Sequence, residues 1–295
     1  MSPPHETPLA PDAPVALLIP ALNPDDRLLE LLDALQGSWH DPIVLVDDGS
    51  REDCRDIFDR AQTLGCHVIR HARNLGKGRG LKTGFNYILT HFPDAIGCVT
   101  ADADGQHTPE DILACANALR QAPEALVLGC RDFGSADIPL RSRFGNKVTR
   151  GFMGFLSGVR VTDTQTGLRG ISARFMSHML DIPGERFEYE TNMLLETRSQ
   201  AVPIREVPIR TLYLEENKSS HFKPFQDSVK IYALLLKRHG PMCLAQLLLS
   251  GALAWLAVWL ALPGAVLVWK VIVGLALFFL LFWFLHHLVF SISLK

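Results

Sequence analysis

The chain has 295 residues and a formal net charge of −2, enough length for one large domain with an appendage and no charge excess of the kind nucleic-acid binding needs. Its six cysteines (Cys54, Cys66, Cys98, Cys115, Cys130 and Cys243) form no CxxC pair and no zinc spacing. They read as reduced thiols of a cytosol-facing protein, which excludes a disulfide framework.

Residues 1–14, "MSPPHETPLAPDAP", are proline-rich and lack the apolar core of a signal peptide, so they read as a disordered tail. Beyond them short apolar runs alternate with helix-length stretches. "VALLIP" (15–20) is a strand, followed by a helix over 25–36. "PIVLVDDGS" (42–50) is a strand ending in acids, followed by a helix over 52–64. "CHVIRH" (66–71) is a strand, and "NLGKGRGLKTGFNYIL" (74–89) is a glycine-rich loop entering a helix. "AIGCVTADADG" is a strand. "TPEDILACANALRQ" (108–121) is a helix with Thr108 as its cap and Pro109 in its first turn, and "ALVLGCRDF" (125–133) is a further strand. This alternation predicts an α/β domain with a mainly parallel sheet covered on both faces. Ligands of such sheets bind beyond the carboxyl ends of the strands, where Asp47, Asp48, Asp102 and Asp104 all fall.

Asp102 and Asp104 follow an apolar strand one residue apart, a costly pairing unless a cation lies between them. On an extended segment, residues i and i+2 point the same way. Two carboxylates with the amide oxygen of Gln106 form a hard-oxygen set suited to Mg²⁺ or Mn²⁺, ions that complete their shell with phosphates and water. The "NLGKGRG" segment lets backbone approach an anion, with Lys77, Arg79 and Lys82 supplying positive charge. Its spacing is neither Walker A nor the dinucleotide fingerprint.

Over 141–158, "RSRFGNKVTRGFMGFLSG", Arg143, Lys147 and Arg150 share one helical face, while Phe144, Val148, Phe152 and Phe155 share another. A basic stripe beside an aromatic one suits a membrane surface or a lipid with an anionic head; an ordinary amphipathic helix packed on the sheet gives the same pattern. "RFEYETNMLLE" places Glu188 and Glu190 near the site, either as a general base or as acids favoured at a helix start. "DSVKIYALLLKRHG" (227–240) reads as an interfacial amphipathic helix with Lys230 and Lys237 on one face, within a segment spanning 223–241.

Residues 243–262 carry no charge over about the ~20 residues that cross a bilayer. Pro263 and Gly264 break the run, and a second apolar segment covers 271–285. Two transmembrane helices are expected within 242–291. Lys237, Arg238 and His239 before the first and Lys295 after the second place the large domain in the cytoplasm, at the inner face of a cytoplasmic membrane, with Lys270 at the far interface. Self-association through these spans is a further expectation. His286 and His287 are adjacent on a helix and do not face one another, so they read as the inner end of the second span.

Five motifs together carry a family resemblance over residues 15–222: "IPALN", "VDDGS", "NLGKGRGLKTG", "DADGQH" and "DTQTGLRG" (163–170). The chain resembles a family 2 glycosyltransferase of the GT-A fold, of the dolichyl-phosphate mannose synthase-like branch. The resemblance implies that Pro20, Asn23 and Asp48 surround the nucleotide, with Ala103 beside them. It implies that Asp102, Asp104 and Gln106 hold the metal and the donor diphosphate, and that Arg131 and Arg143, with Arg141 as a substitute, grip an acceptor phosphate. The sequence departs from the family pattern twice. "NPDD" displaces the acid that follows the first strand, and the closing-loop lysine has only Lys218 or His221 of "NKSSHF" (217–222) to stand for it.

The function implied is inverting, metal-dependent transfer of a sugar from a nucleotide-sugar to a polyprenyl phosphate. Transfer to the hydroxyl of another lipid, with Glu190 as base, is the alternative within enzymes. A non-catalytic partner of a lipid-sugar flippase and a nucleotidyltransferase are others. The intact acids speak against the first of these, and the basic-aromatic helix and apolar hairpin speak against the second.

Overall fold

A computed structural model describes residues 13–132, 140–210, 224–262 and 266–292. The N-terminal tail up to residue 12, the 217–222 loop with Lys218 and His221, the Pro263–Gly264 break and Lys295 lie outside the described residues. The side chains of Arg141, Phe144, Lys230, Lys237 and His287 lie outside them as well. The chain divides into two compact units, residues 1–150 with 161–227, and residues 151–160 with 228–295.

The first unit is built on a seven-stranded sheet of β1 (Val15–Ala21), β2 (Ile43–Asp47), β3 (His67–Arg70), β4 (Gly97–Thr100), β5 (Leu126–Arg131), β6 (Arg169–Ser172) and β7 (Ile204–Ile209). Their order is β3-β2-β1-β4-β6-β5-β7. β6 runs antiparallel to both its neighbours, and the remaining pairs are parallel, so the sheet is mixed rather than uniform. β1 is apolar throughout, as a central strand covered on both faces must be.

Helices α1 (Asp26–Leu35), α2 (Arg55–Thr63), α3 (Lys77–His91) and α4 (Pro109–Gln121) follow the strands as expected, α2 after a 3₁₀ turn at Glu52–Cys54. The Thr108 hydroxyl accepts from the Asp111 N–H at 3.2 Å, which is the predicted cap. Leu28, Leu32, Phe58, Ile112 and Leu119 pack on one sheet face against Leu17, Ile19, Leu45, Val99 and Val127. Then come α5 (Leu140–Ser157), α6 (Ala173–Met179) and α7 (Glu188–Ser199). The glycine-rich segment differs from expectation in one respect. Lys77 already opens α3, so "KGRG" is its first turn and only the residues before it form the loop.

Two further helices, α8 (Pro224–Ala261), in the second unit from residue 228 on, and α9 (Leu267–Ile292), contain two stretches long and apolar enough to cross a membrane: Gly240–Ala261, of mean hydropathy 1.9, and Trp269–His286, of mean hydropathy 2.0. The expected interfacial helix and first span are one continuous helix, with Pro241 inside it. Cys243, Gln246, Ser250, Ala254 and Val258, three or four residues apart, form its buried stripe, while Leu248, Trp255, Trp259 and Leu260 are exposed. His286 Nδ1 and Gln246 Oε1 lie 3.2 Å apart, and the Phe155 ring stacks on His286 at 4.5 Å.

Candidate active site

Parallel pairing sets the carboxyl ends of β2, β1 and β4 side by side. There the chain encloses a cavity of about 190 Å³. It is lined by Pro20, Asn23 and Asp25 after β1, by Asp48 after β2, and by Asp102, Ala103 and Asp104 after β4. Asn74, Gly76 and Lys77 of the glycine-rich segment and Arg186 and Phe187 before α7 complete it. Of the residues expected at the nucleotide and metal, only Gln106 is not among the lining residues.

The first two strand ends are tied together by side chains. Asn23 adopts a positive φ of 49°. Its N–H donates to Ser50 Oγ and its Oδ1 accepts from the Arg51 N–H, both at 2.9 Å. Asp48 is buried and accepts from the N–H groups of Leu75 at 2.8 Å and Gly76 at 2.7 Å, with His71 Nδ1 also at 2.7 Å. Gly76 has φ +106°, and a Cβ there would overlap the carbonyl of Glu185. Asp48 therefore fixes the glycine-rich loop while it faces the cavity. The displaced acid of "NPDD" reaches the cavity as Asp25, which caps α1 and is held by Arg27 Nε at 2.9 and 3.0 Å. Its hydrogen bond to that guanidinium keeps its carboxyl below the usual range.

Beyond β4 the acids lie on a turn, not on the extended segment the i, i+2 argument assumed. Gly105 takes φ +75° and the Gln106 N–H donates to Asp104 Oδ1 at 3.1 Å, which curls the chain. The cation beside Asp102 is Lys77, whose Nζ lies 2.7 Å from Asp102 Oδ1 and 3.1 Å from Glu190 Oε1. Burial alone would raise the Asp102 pKa, but the Lys77 ammonium, with the His107 ring beside it, holds the carboxyl well below the usual range. Burial and the neighbouring Asp102 charge push Asp104 up. Burial alone would lower Lys77, but Asp102 and Glu190 together push it above the ordinary lysine value.

Two features of this corner fit a bound cation. A Cβ at Gly167 would overlap Asp102 Oδ2, so the carboxylate occupies a cradle that only glycine leaves open. His107 is 7 % exposed, and among the described residues neither of its ring nitrogens has a hydrogen-bond partner; Nε2 lies 3.7 Å from Asp102 Oδ2. Among the described residues no three His, Cys, Asp or Glu side chains form a complete metal cage. The carboxylates of Asp102 and Asp104, which both line the cavity, instead match an ion whose shell is finished by phosphate oxygens and water.

The remaining basic residues are placed differently from expectation. Arg79 and Lys82 turn to Glu185 rather than the cavity: Arg79 Nε and Nη2 meet its carboxylate at 2.5 and 3.0 Å, and Lys82 Nζ at 3.3 Å. Arg131, at the end of β5, donates from Nε and Nη2 to the fully buried Asp163 at 2.7 and 2.9 Å, so two of its guanidinium nitrogens anchor the "DTQTG" segment. Arg131 and Arg143 are not among the cavity-lining residues, and Arg143 is half-buried on α5. Glu190 stands at the start of α7 with its carboxylate on Lys77.

Sequence reasoning gave no part to Arg186, Phe187, His107 or Arg169. Arg169 is fully buried, donating from Nε to the Thr166 carbonyl at 2.9 Å and from Nη1 to the Glu190 carbonyl at 2.7 Å. Its positive charge interacts with Glu190, Asp163 and Asp102. The signal available was the charged residue inside "GLRG", an otherwise apolar strand.

Known proteins resemble this chain in sequence or in fold. The chain is 27% identical to a UDP-N-acetylglucosamine–dolichyl-phosphate N-acetylglucosaminyltransferase of Methanococcus voltae, over 78% of this chain and 98% of that one. It is 27% identical to an undecaprenyl-phosphate mannosyltransferase of Micrococcus luteus, over 70% and 86%. Its fold is that of glucosyl-3-phosphoglycerate synthase from Mycobacterium tuberculosis, solved with Mn²⁺, uridine-diphosphate-glucose and glycerol 3-phosphate, at a TM-score of 0.57 and 18% identity over 78% of this chain and 81% of that one. The model of glycosyl transferase family 2 matches residues 16–180, from β1 through the paired aspartates and "DTQTGLRG" into α6, and the chain is a glycosyltransferase belonging to that family.

Proposed function

We propose that the protein moves a sugar from a nucleotide-sugar to a polyprenyl phosphate at a membrane surface, with inversion and with Mg²⁺ or Mn²⁺. The observation that carries this reading is the cavity at three adjacent strand ends, with Asp102, Asp104 and Lys77 on one wall. Two relatives named for transfer to dolichyl or undecaprenyl phosphate support the acceptor class, and the Mn²⁺-bearing neighbour of the same fold supports the metal.

In this reading Pro20, Asn23, Asp48 and Ala103 border the nucleotide. Asp102 and Asp104, with Gln106 as the further expected ligand, would hold the divalent ion, which would supply positive charge to the departing diphosphate. Lys77 supplies a second positive charge to that diphosphate. Arg143 on α5 binds the acceptor phosphate, and Arg131 fixes the segment behind Asp102 through Asp163. A phosphate monoester is already an anion and needs no general base, so the chain has only to position it for attack on the anomeric carbon. The Glu190 carboxylate, held by Lys77 at 3.1 Å, is a counter-ion rather than a free base.

The two apolar helices cross the membrane as a hairpin, and the basic residues at 237–239 keep the catalytic unit on the cytoplasmic side. The reading is tested by incubating membranes that contain the protein with labelled nucleotide-sugars and undecaprenyl phosphate. Label extracted into organic solvent from one donor supports it. Free sugar with no lipid product from any donor contradicts it.

A further inference from the structure

In the proposed reaction a divalent ion and Lys77 need the same carboxylate. Lys77 Nζ sits 2.7 Å from Asp102 Oδ1, a distance at which a protonated amine is a full hydrogen-bonding partner of that oxygen. Its second contact, Glu190 Oε1 at 3.1 Å, holds the ammonium from the other side. The lysine side chain is 17 % exposed and its Nζ stands 6.0 Å from the centre of the Phe187 ring. The other wall of the Asp102 carboxylate is Gly167, where a side chain would overlap Oδ2. The carboxylate thus has a partly buried cation against one oxygen and backbone against the other, with about a third of its side chain, 31 %, exposed. A second cation can share Asp102 fully only if the first gives way, because two positive charges on one carboxylate in a partly desolvated pocket repel strongly.

We propose that Lys77 is a displaceable counter-ion of Asp102: it holds the carboxylate until a donor diphosphate offers it another anion, and its departure opens Asp102 Oδ1 to the metal. This inference rests on the proposed metal-dependent reading of Asp102 and Asp104. Lys77 opens α3 directly after Gly76, and both residues line the cavity, so the ammonium has the cavity in front of it and Asp102 and Glu190 beside it. The consequence is cooperativity between metal and donor. Free metal binds weakly, nucleoside diphosphate tightens it, and by linkage the metal tightens the nucleotide by the same factor. The site then resists filling with a divalent ion when no donor is present.

The test is Mn²⁺ binding by the full-length protein in detergent, read from the electron paramagnetic resonance signal of free Mn²⁺, without nucleotide and with UDP or GDP. Lys77→Gln is expected to bind Mn²⁺ about tenfold or more tightly than wild type without nucleotide, and to lose most of the tightening that the diphosphate gives wild type. Lys77→Arg keeps the cation and is expected to stay close to wild type, which a purely structural role for the side chain does not predict. Lys77→Met retains the aliphatic stem beside Phe187 and replaces Lys77→Gln if that variant does not fold. Mn²⁺ binding that is equal or weaker in the neutral variants overturns the counter-ion role and leaves the metal site standing. No Mn²⁺ binding by any form, with or without either nucleotide, overturns the metal reading and this inference with it.

Discussion

Gly167 lies directly behind the carboxylate of Asp102, so close that a Cβ at position 167 would overlap Oδ2. These residues are 65 apart in sequence, one after β4 and one before β6, and antiparallel pairing of those strands brings them together. Gly167→Ala is expected to push Asp102 out of place and break its contact with Lys77. A displacement of about 1 Å at a reacting centre costs on the order of 10²-fold in rate. The check is transfer activity beside the thermal midpoint; near-wild-type activity shows that Asp102 does not need this position.

Asp102 and Asp104 are expected to respond oppositely to neutralisation in the metal-free protein. The Asp104 pKa is raised in the fold, so its ionised form opposes folding and its contribution to stability falls as pH rises from the unfolded value through the folded one. Asp104→Asn therefore raises the thermal midpoint at neutral pH while abolishing transfer. The Asp102 pKa is lowered, so its contribution is present above the unfolded value of about 4 and lost as pH falls below it. Asp102→Asn removes the nearer of the two carboxylates on Lys77, leaving Glu190, and lowers the midpoint. Scanning calorimetry in chelator at neutral pH reads both signs, and a fall for Asp104→Asn contradicts the charge assignment.

Arg131→Ala is expected to destabilise the fold before it touches chemistry. Asp163 is fully buried and loses two charge-assisted hydrogen bonds, and breaking such a pair from one side costs about 3–5 kcal/mol. The double variant Arg131→Ala with Asp163→Ala recovers part of that loss, since no buried charge is left alone. A stable Arg131→Ala protein that uses lipid poorly points back to a direct acceptor contact.

The strands that form the cavity were legible because β1 and β2 are unbroken apolar runs and because Thr108 and Pro109 mark the helix after β4. β6 and β7 were not. "RGIS" is four residues long and buries an arginine, and "IREVPI" is an edge strand whose charges and Pro208 break the pattern an internal strand would show. At the site, short motifs singled out Asp48, Asp102 and Asp104, and all three line the cavity. Partnerships were invisible. Lys77 with Glu190, Arg79 with Glu185 and Arg131 with Asp163 join residues far apart in the chain, and residue type alone does not say which acid a base will meet. Arg79 and Lys82 consequently looked like phosphate ligands and proved to be anchors for Glu185.

Glu190→Gln and Arg143→Ala separate the two acceptor chemistries. With a phosphate acceptor, Arg143→Ala loses a charge-assisted contact worth roughly 2–3 kcal/mol, about 30- to 150-fold in the use of limiting lipid. Glu190→Gln, which leaves an amide oxygen near Lys77, is expected to cost less than about tenfold. A general base contributes about 10²–10⁴-fold. The reverse ranking, measured with saturating donor, favours a hydroxyl acceptor.

The central claim is that the acceptor is a lipid phosphate, and the most direct test compares undecaprenyl phosphate with undecaprenol under the labelled donor that gives organic-phase product. Transfer is expected to the phosphate alone, to require Mg²⁺ or Mn²⁺, and to stop in chelator. Equal transfer to the free alcohol contradicts the phosphate acceptor, and undiminished transfer in chelator contradicts the metal that the reaction is proposed to need.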